Sequence, residues 1–128
     1  MEGIVMEQVI NLEHKIAEIS FMIANEEIID KNIVDKALGV LVNDGIYAMW
    51  LFIEEKKSKA NPEEFCKKIE ELLKEARLVD SCNCSTVESR GKFFKQLTED
   101  LNKLILARQI LEKLFIYVRH QYKALGED

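Results

Sequence analysis

Apolar residues recur every three or four positions along most of this chain and almost nowhere at every second one. Leu12, Ile16, Ile19 and Ile23 step in this way, with Ile10 and Phe21 as further apolar positions and Glu13, Lys15 and Glu18 between them, which predicts an amphipathic helix from about Val5 to Ala24. The polar scatter after Asn25-Glu26-Glu27 makes the first connection, and either Asp30 or Asn32 caps a second helix through Val34, Ala37, Leu38 and Leu41. The stretch VLVNDGIYAMWLFI poses a choice between a hairpin on Asp44-Gly45 and two helices broken at the glycine. A hairpin needs alternation on both sides of its turn. Ile46 to Ile53 does not alternate and runs directly into the helix formers Glu54-Glu55-Lys56-Lys57. The reading is therefore a helix closed by Gly45 in a left-handed conformation, then a third helix with Ile46, Met49, Trp50 and Ile53 on one face, capped by Asn43 or Asp44.

Asn61-Pro62-Glu63-Glu64 is a helix start: asparagine caps, proline takes the first helical position and Glu64 closes a capping box. Phe65, Ile69, Leu72 and Leu73 form the stripe behind it, ending near Arg77, and Val79 to Cys84 is a loop. Ser85-Thr86-Val87-Glu88 repeats the capping-box logic ahead of Phe93, Phe94 and Leu97, with Gly91 a soft spot in that helix. Thr98 is either internal or a fresh cap. Leu101, Leu104, Leu111, Phe115, Val118, Tyr122 and Leu125 then mark one long final helix, with Gly126 past its end. A second apolar strip, Leu106, Ile110 and Tyr117, lies on its opposite side. Two apolar faces place this helix at the centre of the core or turn one face toward another molecule.

Composition agrees with this pattern. The chain has 128 residues, 48% hydrophobic and 32% charged, with one proline and five glycines. That is enough apolar material for a real core and too little turn chemistry for a β sandwich. The expectation is one all-α domain over residues 1–128: a compact bundle of roughly five to six helices with a long C-terminal helix. The N-terminus lacks the pattern of a signal peptide, and the longest apolar run, Ile46 to Ile53, is too short to span a bilayer, so a cytoplasmic protein without membrane contact is expected.

Charge and chemistry narrow the function classes. The net charge is −5, which counts against a generic nucleic-acid binder. Its distribution is uneven: residues 1–85 hold ten Lys/Arg against seventeen Asp/Glu, whereas Arg90 to Lys123 holds eight against three. No phosphate-cradling glycine loop and no HExxH occur, and the acid pairs Glu26-Glu27 and Glu54-Glu55 read as solvated helix ends. Arg119 abuts His120, and His14 has no arginine ahead of it, so the spaced Arg–His motif of HEPN-type ribonucleases is absent. The helix after Gly45 is too apolar for a recognition helix. Cys66, Cys82 and Cys84 are odd in number, and Cys82-Asn83-Cys84 lacks the usual zinc-knuckle spacing, so free thiols, no metal and no cofactor are expected, with Cys66 simply packed.

Three segments carry a family likeness. Leu12-Glu13-His14-Lys15-Ile16-Ala17-Glu18, the Ala37–Ile53 stretch with its polar-glycine break, and Leu104–Leu125 with RQILEKLFIYVRHQYKAL stand in the order and spacing of the small all-helical subunit of the Cmr complex, the type III-B CRISPR effector. The chain resembles that family, and the small subunit of the related Csm effector fits the same description. The resemblance implies a noncatalytic subunit that stacks head to tail with copies of itself and with other effector subunits, and that contacts target RNA phosphates. Arg108, Arg119 and Lys123 fall within roughly one-sixth of a turn on an ideal helix, a candidate RNA-contact group. Lys92 and Lys95 extend it, and Lys15 matches the family's basic residue on the first helix. The rival reading is a helical adaptor or homodimer that uses the strip at Leu106, Ile110 and Tyr117.

Overall fold

A computed structural model describes residues 2–126, with side chains from Leu12 onward, so the expected placement of Ile10 on the first helix's apolar face lies outside the described side chains. Six helices follow one another among the described residues: α1 Glu2–Asn25, α2 Lys31–Asp44, α3 Ile46–Glu55, α4 Pro62–Glu75, α5 Val87–Gln96 and α6 Leu101–Ala124. No strand occurs among them; one isolated antiparallel bridge, Ile29 to Ala60, pins the α1–α2 connection to the α3–α4 connection.

The long helix α6 is the centre of the bundle. It packs against α1 on one side and α2 on another, while α2 also packs on α3, α1 on α4 and α3 on α5. Ile110, Leu111, Leu114, Phe115, Val118 and Tyr122 are buried along α6. The second apolar strip is therefore divided: Ile110 is core, Tyr117 is half-buried with its hydroxyl donating to Glu13 (2.9 Å), and Leu106 stays exposed at 40%. Phe65 of α4 meets Phe115 of α6 with ring centroids 5.9 Å apart. Each fully buried side chain of this size stabilises the fold by about 1.5–3 kcal/mol. Tyr122 brings its phenol into the core and satisfies it by donating to the Ile29 carbonyl.

The helix ends show where local chemistry acts. Asp30 caps α2 by accepting from the Asn32 amide, and Asn61 caps α4 by accepting from the Glu64 amide. Glu64 does not reach back to Asn61: that amide donates to the Ile28 carbonyl, and the Glu64 carboxylate pairs with Lys67. At α5 the cap is Thr86, one residue later than a Ser85–Glu88 box requires, because Ser85 instead hydrogen-bonds Asn83. Thr98 caps nothing; Asp100 opens α6 by accepting from the Lys103 amide.

Gly45 breaks the chain as the sequence requires, with a different geometry. Its φ of 99° and ψ of −179° lie outside the left-handed helical region, in a territory open essentially to glycine alone. Its amide donates to the Val40 and Leu41 carbonyls, closing α2, and its own carbonyl starts α3 by accepting from Met49. Asn43 and Asp44 remain in the last turn of α2 and do not cap α3, which has no side-chain cap.

Candidate functional site

The six basic residues singled out from the sequence fall into two groups. Lys15, Arg108 and Arg119 are engaged in the fold. Lys15 on α1 bridges Glu71 of α4 (2.5 Å) and Glu18 (3.1 Å), and these carboxylates, Glu71 foremost, hold its pKa above the ordinary lysine value. Arg108 pairs with Glu112 (3.3 Å) and donates to the Val42 carbonyl in the last turn of α2, where a cation meets the negative end of the helix dipole. Arg119 pairs with Asp35 near the start of α2 (3.2 Å). The two arginines thus fasten the edge of α6 to both ends of α2, with the helices antiparallel. Lys92, Lys95 and Lys123 are exposed and form no ion pair among the described residues. Lys92 and Lys95 stand on α5, and Lys123 on the last turn of α6.

Lys92 also borders a groove of ≈ 490 Å³ between the α4–α5 connection, α5 and the start of α6. Lys92 and Lys103 on its walls face Asp80, Glu99 and Asp100, so the groove itself is of mixed charge. His14 and His120 are exposed and belong to no cluster of ligand-bearing side chains among the described residues.

Between α3 and α5 lies a buried polar system whose Glu54 the sequence places at a solvated helix end. Glu54 is buried, not solvated, and its carboxylate accepts from Arg90 Nε (2.6 Å), Arg90 Nη2 (3.1 Å) and the Trp50 indole N–H (2.9 Å). Arg90 Nη1 donates to the Cys84 carbonyl (2.8 Å), and the Glu54 carboxylate keeps this guanidinium firmly protonated. Gly91 follows from the same packing: a Cβ there would stand 2.9 Å from Trp50 Cη2, so the soft spot in α5 makes room for the indole.

The three cysteines converge beside this pair. Cys66 comes from α4, Cys82 and Cys84 from the loop after it, and their sulfur atoms lie 2.7 Å (Cys66–Cys84), 3.7 Å (Cys82–Cys84) and 4.0 Å (Cys66–Cys82) apart. Cys66 is packed as expected, yet what it packs against is two more thiols. Burial, first of all, pushes the Cys84 thiol up to about 11 and the Cys66 thiol higher still. The Cys82 amide donates to the Glu70 carboxylate, which anchors the loop to α4. Spacing alone could not reveal this cluster, because the third sulfur arrives from a helix sixteen residues away.

No protein-family model matches the chain, and no curated protein or solved structure matches it either.

Proposed function

We propose that this protein is a noncatalytic small structural subunit of a type III CRISPR ribonucleoprotein effector, which stacks with neighbouring subunits and contacts target RNA phosphates in antiviral defence. One observation carries the reading. The three segments that bear the family likeness, in α1, across α2–α3 and along α6, pack directly on one another as α1 on α6, α6 on α2 and α2 on α3. The three segments thus occupy one contiguous half of the bundle, which supports reading them as a unit.

Stacking head to tail demands two different complementary patches. The acidic first two-thirds of the chain and its basic final third supply opposite charge for such a contact. Exposed apolar residues sit on separate elements, among them Phe21 on α1, Leu51 on α3 and Ile105 on α6, which suits neighbours on more than one face. RNA contact falls to Lys92, Lys95 and Lys123, whose side chains are accessible; it is electrostatic, indifferent to sequence and sensitive to salt.

The test compares the assembled effector carrying either the wild-type subunit or Lys92→Glu/Lys95→Glu/Lys123→Glu. Retention of labelled single-stranded target RNA is followed against salt. Each lost phosphate contact flattens the log–log salt slope by about 0.7. Identical slopes for the two assemblies would remove RNA contact from the reading.

A further inference from the structure

We propose that Cys66, Cys82 and Cys84 form a binding site for a thiophilic divalent cation, zinc, with the three Sγ atoms as ligands and a water molecule completing the shell. The inference is independent of the effector reading.

Geometry carries it first. Three thiols from two segments meet with all their sulfur atoms within 4.8 Å of one another. Zinc–thiolate bonds of about 2.3 Å arranged tetrahedrally place neighbouring sulfurs about 3.8 Å apart. The Cys82–Cys84 and Cys66–Cys82 separations, 3.7 and 4.0 Å, already have that length. The Cys66–Cys84 separation of 2.7 Å is shorter than this edge, and zinc would widen it by about an ångström. It is also well beyond the ~2.05 Å of a disulfide bond.

The donor set points the same way. The ligand-bearing side chains that converge here, among the described residues, are the three cysteines, and thiolate ligands select zinc over magnesium or calcium, which take oxygen. The surroundings hold each ligand in place. Cys66 is fixed by α4, the Cys82 backbone by the Glu70 carboxylate, and the Cys84 backbone by Arg90 Nη1 at 2.8 Å. Such outer contacts are what orient ligands at metal sites.

Binding replaces three S–H bonds with three Zn–S bonds and releases three protons to solvent. The zinc–trithiolate unit then carries one negative charge, with the Arg90 guanidinium close by. Cys82 is half-exposed and lies on the wall of the groove, which gives the ion a way in and leaves room for water in the fourth position. The consequence is mechanical: the ion ties the irregular α4–α5 connection to α4, and through it steadies the groove that Lys92 borders.

The test titrates cobalt(II) into the full-length, freshly reduced protein and then displaces it with zinc. The expected result is a sulfur-to-cobalt charge-transfer band in the near ultraviolet that saturates at one equivalent and disappears on adding zinc. The band should fall at least several-fold in Cys82→Ser, whose half-exposed side chain can change without disturbing the core, while far-ultraviolet circular dichroism stays that of a helical bundle. A wild-type protein without the band, or a Cys82→Ser/Cys84→Ser protein with an undiminished one, overturns the proposal. So does a Cys66–Cys84 disulfide in metal-free protein isolated without reductant, shown by an intact mass two hydrogens below that of the reduced chain and located by peptide mapping.

Discussion

Glu54 and Arg90, thirty-six residues apart in sequence, meet in a buried two-point ion pair with N–O distances of 2.6 and 3.1 Å. Their side chains are only 9% and 8% exposed, and they join α3 to α5 just behind the thiol cluster. Removing one partner strands the other charge out of water, which costs about 3–5 kcal/mol, whereas replacing both with apolar residues is often near neutral. Arg90→Met is therefore expected to lower unfolding stability by that amount, and Glu54→Leu/Arg90→Met to recover most of it. Urea denaturation decides; a single variant within about 1 kcal/mol of wild type would show the pair to be solvated in solution.

Three glycines should respond in three different ways. Gly45→Ala must place a Cβ in a backbone conformation that costs about 1–3 kcal/mol, so destabilisation of that order is expected. Gly91→Ala gains helix propensity but drives its methyl group into the Trp50 ring, a rigid side chain held by Glu54 and by stacking on Phe94 at 6.0 Å between centroids. Overpacking of this kind costs about 1–3 kcal/mol, so the net effect is a loss. Gly39 sits inside α2, and a methyl group added there would meet nothing within 4 Å, so Gly39→Ala is expected to stabilise by roughly 0.5–1 kcal/mol. Thermal melts of the three variants check the order; a destabilised Gly39→Ala would contradict it.

Arginine and lysine variants should separate fold from RNA contact. Arg108→Ala removes a cation from the C-terminal carbonyls of α2 and should cost about 0.3–1 kcal/mol of stability. It should leave the salt slope of RNA retention unchanged. Lys92→Glu should do the reverse, with stability within about 0.5 kcal/mol of wild type and a flatter slope. Lys95→Glu should flatten the slope too, at a cost of about 0.3–1 kcal/mol because it puts an acid in the last turn of α5. Equal loss of RNA binding in both sets would put Arg108 in the RNA-contact group after all.

In chelator-treated, reduced protein, the half-exposed Cys82 should be alkylated by iodoacetamide well before its two partners. Thiolate is the reacting form, and a thiol held at about 11 is ionised to only about one part in a thousand at pH 8. Because burial raises these values, protection of Cys84 should persist at neutral pH and fade as the solution approaches pH 11. Peptide mass spectrometry on timed samples gives the order. Cys84 reacting as fast as Cys82 would mean that the loop does not hold it against α4.

Periodicity made much of the architecture legible. Ile46, Met49, Trp50 and Ile53 are all buried, as are Phe65, Ile69, Leu72 and Leu73, because a helical stripe is a local property of the chain. Asn61-Pro62 announced α4 for the same reason. What stayed hidden depends on contacts between distant segments. Nothing near Glu54 marks it as buried, since its partner Arg90 lies across the bundle, and a Glu-Glu pair at a helix end ordinarily meets water. Arg108 and Arg119 were correctly aligned on one edge of α6, yet periodicity could not say that α2 lies along that edge. The thiol cluster needed the α4–α5 connection to fold back on α4, which no local pattern encodes.

The central claim is tested most directly by isolating the tagged, full-length protein from the cells that encode it, under mild salt, and identifying what accompanies it by mass spectrometry and RNA sequencing. The account predicts the backbone subunits of a type III CRISPR effector together with guide RNA, and more than one copy of this chain per assembly. Recovery of the protein alone, or with partners unrelated to that effector, while the effector's own subunits are present in the same lysate, would contradict it.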